Sequence, residues 1–127
     1  MPVNTVLPVG DALLKLSNLD KVFYSDGFSK GEVIDYYIRI APALLPHIED
    51  RPLTLKRYPH GAGGKFFYQK TCPKSKPAWL NTVPVWSEGR GAAIHFCLID
   101  SLPALIWAAN LAALELHPSL SRAVRLA

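Results

Sequence analysis

The sequence predicts an α+β fold in which two main helices pack on a small mixed or antiparallel sheet. Three observations favour this fold. Apolar residues recur at helical spacing after Ser29, several short segments with strand composition lie between residues 53 and 99, and a long apolar segment covers residues 102–116. We therefore expect the strands of the sheet in the middle of the sequence, with one helix before them and one after them.

Length and composition indicate a globular domain. The chain has 127 residues, of which 50% are hydrophobic and 19% charged, which is enough to build one core, so we expect a single domain over residues 1–127. Lysine and arginine outnumber aspartate and glutamate by 14 to 10, and the net charge of +4 suits a polyanionic partner. Disorder, collagen and coiled coil are excluded by the same composition.

The first elements follow from local patterns. Residues 1–12 show no sustained period and are expected to form a loose lead-in or an edge strand. Ser29 and Glu32 fit a capping box, which predicts a helix from residue 30 to about 45. Because proline has no amide donor, Pro42 and Pro46 should kink this helix near Ala41 or end it before residue 47.

The remaining elements are four strands and a second helix. We expect the strands at residues 53–58, 65–70, 82–86 and 93–99. Asp100 or Ser101 can cap the second helix, at 102–116, which is apolar on nearly every side and should be central to the core.

Two cysteines, Cys72 and Cys97, are too few for a secreted disulfide scaffold and form no C-x-x-C zinc motif. The simplest interpretation is a reducing cytoplasm. The sequence shows no signal-peptide pattern, and the apolar segment 102–116 is too short for a membrane span, so we expect neither a transmembrane helix nor a membrane partner.

Lys30 lies in the first turn of the predicted helix, where the helix dipole disfavours a cation and unpaired amides attract anions. A phosphate bound near Lys21 and Lys30 would gain from both, and Gly31 would permit a close approach. From the local pattern alone, a solvated surface lysine is the more frequent explanation, at about two chances in three.

Cations alternate with aromatic residues around a glycine-rich turn in residues 56–70. Such a segment suits single-stranded nucleic acid, because cations neutralise phosphates and exposed rings stack on bases. Phe66 and Phe67 cannot both enter one core, since side chains alternate along a strand. An ordinary hairpin with one ring packed under the loop is about equally compatible with the pattern.

The histidines and carboxylates indicate no metal centre. His117 is expected to cap the end of the second helix, and Asp100 is most simply an N-cap. No acidic pair has the spacing of a two-metal site.

Five segments together resemble the polymerase domain of bacterial ligase D, a family of primase-like DNA repair polymerases that act with Ku in non-homologous end joining. The segments are LSNLDKVFY (16–24), SKGEVIDYY (29–37), RPLTLKRYP (51–59), KFFYQK (65–70) and IDSLPALIWAANLAALELHP (99–118). The resemblance extends from about residue 14 to residue 122. It implies the N-terminal portion of a primase-like fold.

The resemblance also implies roles for particular residues. Lys21 and Lys30, with Asn18 beside them, match the family's site for the 5′-phosphate of a DNA end. The paired phenylalanines that stack on DNA match Phe66 and Phe67. Lys56 and Arg57 lie on the adjoining basic strand, and His117 matches a histidine of the nucleotide-binding site.

The family's metal ligands have no counterpart here. The family binds Mn²⁺ or Mg²⁺ through an Asp-x-Asp motif and a third aspartate, whereas this chain reads Ser119-Leu120-Ser121-Arg122 and ends at Ala127. We therefore expect a cytoplasmic, nucleoid-associated module that binds 5′-phosphorylated DNA ends, uses no metal cofactor and does not extend DNA.

Ku and a ligase are the partners that the resemblance implies. The alternative is half of a split polymerase whose aspartates come from another chain. A third hypothesis is a truncated product that merely folds, as a dimer that covers the exposed side of the second helix.

Overall fold

The computed structural model describes residues 4–120 and confirms the α+β class. Its elements are β1 (Thr5–Val9), β2 (Ala12–Leu16), α1 (Lys30–Ile48), β3 (Leu53–Arg57), β4 (Phe67–Gln69), β5 (Thr82–Ser87), β6 (Ala92–Cys97), α2 (Leu102–Asn110) and β7 (Ala113–Pro118). β1 and β2 form a hairpin, and the other strands form a five-stranded antiparallel sheet. β3 is its centre, since it pairs with β4, β6 and β7.

The capping box at the start of α1 is confirmed, with Ser29 and Glu32 each bonded to the other's backbone amide. The predicted end before residue 47 is wrong, because α1 continues through both prolines to Ile48. Pro42 and Pro46 are exposed, so the carbonyls that lose a helical partner lie on the solvent side, where water can bind them.

The predicted helix at 102–116 is wrong in its second half. α2 ends at Asn110, Ala112 takes a left-handed φ of 63°, and the chain returns as β7 along β3. Tertiary pairing overrides the helical composition, because β7 covers an edge of β3 that would otherwise be unpaired. The alternation of Leu114, Glu115, Leu116 and His117 is a period-2 pattern that could have indicated the strand.

Two capping assignments change with this boundary. His117 lies in β7 opposite Thr54, so it does not cap a helix. Ser101 is the N-cap of α2, with its hydroxyl accepting from the amide of Ala104, whereas Asp100 accepts a side-chain hydrogen bond from Asn81.

The four strands expected in the middle of the chain are all present, and the N-terminal lead-in is a hairpin whose Leu14 and Leu16 are buried. Cys72 and Cys97 form a disulfide between the loop after β4 and the end of β6. Within residues 4–120, no helix is long and apolar enough to cross a bilayer.

The core lies between the helices and one face of the sheet. Its fully buried side chains include Leu53 and Leu55 of β3 and Leu105 and Ile106 of α2. The opposite face of β3 carries the intervening residues, Thr54 and Lys56, and is not covered by a helix. This uncovered face and the region around the start of α1 hold most of the predicted site residues, whereas Arg57 and Phe67 pair with each other on the opposite face of the sheet.

Candidate nucleic-acid interface

A cavity of about 320 Å³ opens between the start of α1 and the end of β3. We call it the basic pocket, because it contains Lys21, Lys30 and Arg57. Its other lining residues are Ser17, Asn18, Phe23, Pro59, His60, Asn110, Leu111 and Ala112. The structure thus brings together the two predicted lysines and Asn18, and it adds Arg57.

Backbone hydrogen bonds between the residue 18–22 turn and the helix N-terminus position the two lysines. Asn18 has a left-handed φ of 55°, and the Lys21 amide closes the turn on its carbonyl at 3.0 Å. The Lys30 amide then donates to the carbonyl of Lys21 at 2.8 Å, and the Gly31 amide donates to that of Leu19 at 2.9 Å.

These hydrogen bonds show that the expectation of unpaired amides at the start of α1 is wrong for residues 29–32. The amides of residues 29–32 are all engaged within the protein, those of Lys30 and Gly31 by the turn and those of Ser29 and Glu32 by the capping box. The helix N-terminus therefore offers no unpaired amide from these residues to an anion. Any anion in the basic pocket would be held by side chains.

Backbone carbonyls fix both ammonium groups. Lys21 Nζ donates to the carbonyl of Pro59 at 2.6 Å, and Lys30 Nζ donates to that of Ser17 at 2.5 Å. An ammonium group carries three N–H donors, so each lysine keeps donor capacity for a ligand. Arg57 is anchored in the same way, with Nε donating to the carbonyl of Leu111 at 2.8 Å.

The basic pocket concentrates positive charge. Lys30 is only 4% exposed, and the described part of the chain contributes no carboxylate to the lining of the pocket. Burial, together with the nearby charges of Lys21 and Arg57, lowers the pKa of Lys30 to about 8. A bound anion would relieve this repulsion.

The second feature is the uncovered face of the sheet, which we call the open face. Lys56 lies opposite Tyr68 of β4 on one side and Glu115 of β7 on the other, and Thr54 lies opposite His117. Together with two further aromatic residues, the open face consists of Lys56, Tyr58, Phe66, Tyr68, Glu115 and His117.

Phe66 and Phe67 are 50% and 44% exposed, so the alternative in which one ring packs under the loop is wrong. Phe66 lies on the open face, with its ring centroid 4.0 Å from Lys56 Nζ. Phe67 pairs with Arg57 across the strands, and its ring centroid lies 5.0 Å from the guanidinium carbon. Arg57 thus connects Phe67 to the basic pocket, whereas Phe66 lies on the other face of the sheet.

Glu115, Tyr58 and Tyr68 were not selected from the sequence as site residues, although the two tyrosines belong to the aromatic segment 56–70. The Tyr58 hydroxyl donates to Glu115 Oε2 at 2.6 Å, and His117 Nε2 lies 3.0 Å from Oε1. The bond from Tyr58, with smaller contributions from His117 and Lys56, lowers the pKa of Glu115. Only the period-2 pattern of β7 could have placed Glu115 on this face.

His117 also borders a separate cavity of about 400 Å³ with Thr54, Lys70 and Phe96. The basic pocket and His117 are therefore not parts of one cavity, and the predicted phosphate and nucleotide roles fall on different surfaces.

The described residues do not fit a divalent metal. Among residues 4–120, no group of three or more histidine, cysteine, aspartate or glutamate side chains is placed to bind one ion. Glu115 is the carboxylate of the open face, and its partners there are a phenol, an ammonium group and an imidazole.

A basic pocket beside exposed rings on an α+β domain has the features of proteins that hold nucleic-acid phosphates with cations and bases with aromatic side chains. The family model described as "LigD, primase-polymerase domain" matches residues 29–127. The chain belongs to this family.

Individual relatives agree with this assignment. The multifunctional non-homologous end joining protein LigD of Mycolicibacterium smegmatis is 38% identical over 111 residues, which are 82% of this chain and 14% of that protein. The bifunctional non-homologous end joining protein LigD of Bacillus subtilis is 33% identical over 105 residues, 82% of this chain and 16% of that protein. The chain thus spans about one-seventh of the length of these relatives.

A solved structure matches the fold. The polymerase domain from Mycobacterium tuberculosis ligase D in complex with DNA superimposes with a TM-score of 0.81 at 38% identity. The match covers 86% of this chain and 38% of that chain.

Proposed function

We propose that this chain is a DNA-end-binding part of a LigD polymerase domain and that it recognises 5′-phosphorylated ends during non-homologous end joining. The observation that carries the proposal is the convergence of Lys21, Lys30 and Arg57 on one pocket that is lined by no carboxylate of residues 4–120. A terminal phosphate has a second ionisation near pH 6, so it is close to a dianion at neutral pH and suits this pocket better than an internal phosphate does.

Each predicted residue has a part in this function, and that of Lys56 is to hold the exposed ring of Phe66, whose centroid lies 4.0 Å from its Nζ, in place for a DNA base. Lys21, anchored on the carbonyl of Pro59, and Lys30, anchored on that of Ser17, both bind the terminal phosphate. Asn18 lines the pocket beside them. Phe67 stacks on the terminal base pair next to Arg57, and Phe66 offers its ring to an unpaired base. His117 binds a nucleotide at the neighbouring cavity. The related polymerase domain solved with DNA supports this class of ligand.

We also propose that this chain does not extend DNA without another chain. Phosphoryl transfer requires metal ions to neutralise charge on the reacting oxygens. The support from the structure is that, among residues 4–120, no group of three or more histidine, cysteine, aspartate or glutamate side chains is placed to bind one ion. The Mn²⁺ or Mg²⁺ of the family would be bound by aspartates in parts of the relatives that this chain does not cover. Ku and a ligase are the partners expected in the repair reaction.

One observation favours a second function, as half of a split polymerase. Among the described strands, β7 pairs only with β3 and presents a second edge. Beside β7 lies a largely apolar cavity of about 410 Å³ lined by Leu114, Phe28, Val33, three tyrosines and the carboxylate Asp26. A chain that carries the aspartates could add a strand to this edge.

A binding titration tests the main proposal. The probe is a gapped duplex with either a 5′-phosphate or a 5′-hydroxyl at the gap. Loss of one charged hydrogen bond costs about 1.5–3 kcal/mol, so we expect roughly tenfold or greater preference for the phosphate. Lys21→Gln and Lys30→Gln should abolish the preference, whereas Lys74→Gln, outside the pocket, should retain it. Equal affinities of the unaltered chain for the two probes would contradict the proposal.

Primer extension separates the two functions. With Mn²⁺ and nucleotides, this chain should give no product without a second chain. Extension of the primer by this chain without a partner would contradict the proposal that it does not extend DNA. Extension only after addition of a LigD segment that carries the aspartates would establish the split polymerase.

A further inference from the structure

The open face carries an acidic residue where a phosphate-binding surface would be expected to carry cations. Glu115 lies on β7 in the middle of the aromatic cluster, directly opposite Lys56 in the strand register. A carboxylate at this place repels DNA phosphates, so its presence needs a physical explanation.

Glu115 forms an ion pair with Lys56. Lys56 Nζ lies 3.4 Å from Glu115 Oε2, and the same oxygen accepts the hydroxyl of Tyr58 at 2.6 Å. The Lys56 side chain is only 15% exposed. Its ammonium group therefore lies against Glu115, and the negative charge of Glu115 compensates its positive charge.

The aromatic rings complete the enclosure of Lys56. Its Nζ lies 4.0 Å from the centroid of Phe66 and 5.3 Å from the centroids of Tyr58 and Tyr68. Contacts of this kind hold a cation over the ring face. Phe66 and Tyr68 meet edge to face with centroids 5.8 Å apart, so the cation lies within an ordered group of rings.

We propose that Glu115 is a specificity-determining residue, which cancels the charge of Lys56 so that the rings around Lys56 bind an unpaired DNA base by stacking and Lys56 itself binds no DNA phosphate. The inference rests on the proposed function, because it assumes that DNA reaches this face. It assigns recognition of the terminal DNA phosphate to the basic pocket and stacking on DNA bases to the rings of the open face.

The salt dependence of DNA binding distinguishes a phosphate contact from a stacking contact. Each phosphate neutralised by the protein steepens the plot of log affinity against log salt by about 0.7 to 0.9. In the unaltered chain, Lys56 should add nothing to this slope, so Lys56→Gln should leave the slope unchanged while it weakens binding through disorder of the rings.

The critical variant is Glu115→Gln, which keeps the shape of the side chain and removes its charge. With Lys56 released, we expect the slope for single-stranded DNA to become steeper by about one phosphate contact. We also expect the quenching of a 2-aminopurine base by the open face to decrease. Lys56→Gln in the Glu115→Gln background should restore the original slope, because the two changes act on the same pair.

A matched control is Asp35→Asn, which removes the acidic partner of an exposed pair with Arg39 on α1. It changes net charge by the same amount and should leave slope and quenching unaltered. An unchanged or shallower slope in Glu115→Gln would overturn the proposal, as would a steeper slope that Lys56→Gln does not reverse. A far-UV circular dichroism spectrum of Glu115→Gln that matches that of the unaltered chain excludes unfolding as the cause of a steeper slope.

A measurement without DNA tests the same pairing. Hydrogen bonding to Tyr58, together with Glu115, raises the pKa of Lys56. In a lysine NMR titration, Glu115→Gln should move the titration of the Lys56 signal to lower pH, because the carboxylate that favours its charged form is removed. A titration of the Lys56 signal that Glu115→Gln leaves unchanged would overturn the inference.

Failure of this inference is distinguishable from failure of end recognition. A chain without 5′-phosphate preference but with the expected slopes would contradict the proposed function and support the role of Glu115. Phosphate preference with unaltered slopes would support the proposed function and overturn the role of Glu115. Absence of DNA binding at every salt concentration would overturn both.

Discussion

At the scale of single residues, the important result is that Lys30 is buried and yet close to other cations. It is 4% exposed, in contrast to the solvated surface lysine that the local pattern favours. The sequence correctly indicated the capping box and the pairing of Lys30 with Lys21, and the two lysines line one pocket. It could not indicate that Arg57 would join the pocket, because residues 30 and 57 meet only through tertiary packing.

The lowered pKa of Lys30, about 8, predicts a pH dependence of phosphate binding. A phosphate favours the charged ammonium group, so affinity for the 5′-phosphorylated gap should be highest below pH 8 and should fall as the pH rises through that value. Ordinary lysines titrate near 10.4, above this window. The measurement is the ratio of affinities for phosphorylated and unphosphorylated probes between about pH 7 and pH 9.

Lys30→Gln is the control for this prediction, and its affinity ratio should not change over the same pH range. A pH-independent ratio in the unaltered chain would show that Lys30 does not contact the phosphate.

At the scale of elements, the difference between expectation and structure is concentrated after residue 110. Residues 102–116 have helical composition, but β3 requires a partner on its second side, and β7 provides it. The sequence therefore predicted the second helix and missed the strand that carries Glu115 and His117. The strands at 53–58 and 82–86 were predicted well, because their boundaries depend on local turn residues.

The Asn110 side chain connects the end of α2 to the end of the β1–β2 hairpin, next to Ser17, whose carbonyl holds the Lys30 ammonium group. Its side-chain oxygen accepts from the amide of Ser17 at 3.0 Å, and its side-chain nitrogen donates to the carbonyl of Lys15 at 3.1 Å. Since Ser17 in turn holds Lys30, Asn110→Ala should destabilise the fold by about 1–2 kcal/mol and also weaken the phosphate preference. Chemical denaturation and the gap titration measure the two effects.

The matched control is Asn81→Ala, whose side-chain bond to Asp100 is exposed and 3.4 Å long. We expect less than about 0.5 kcal/mol of destabilisation from it and no effect on phosphate preference. Equal effects of the two asparagine variants would argue against the role of Asn110.

At the scale of the whole molecule, the disulfide is the connection that the sequence did not reveal. Two cysteines 25 residues apart gave no reason to pair them, and their proximity depends on the loop after β4 returning to β6. The Cys72 amide donates to the carbonyl of His95 at 2.7 Å and fixes the same return.

Closing this loop restricts the unfolded chain, so we expect the disulfide to add about 3 kcal/mol to the free energy of unfolding. Thermal unfolding with and without a dithiol reductant measures this contribution, with the Cys72→Ser and Cys97→Ser double variant as the control that should not respond. A melting temperature that the reductant leaves unchanged would contradict the prediction. Phosphate preference should survive reduction, because neither cysteine lines the basic pocket.

The central claim, that side chains of the basic pocket hold a terminal phosphate, is tested most directly by ³¹P NMR of a short gapped duplex with one 5′-phosphate. On addition of the chain, the terminal resonance should shift and broaden, while Lys30→Gln should leave it at its position in unbound DNA even when the internal phosphates report binding. A terminal resonance that does not respond to the unaltered chain, at concentrations where the DNA is bound, would contradict the account.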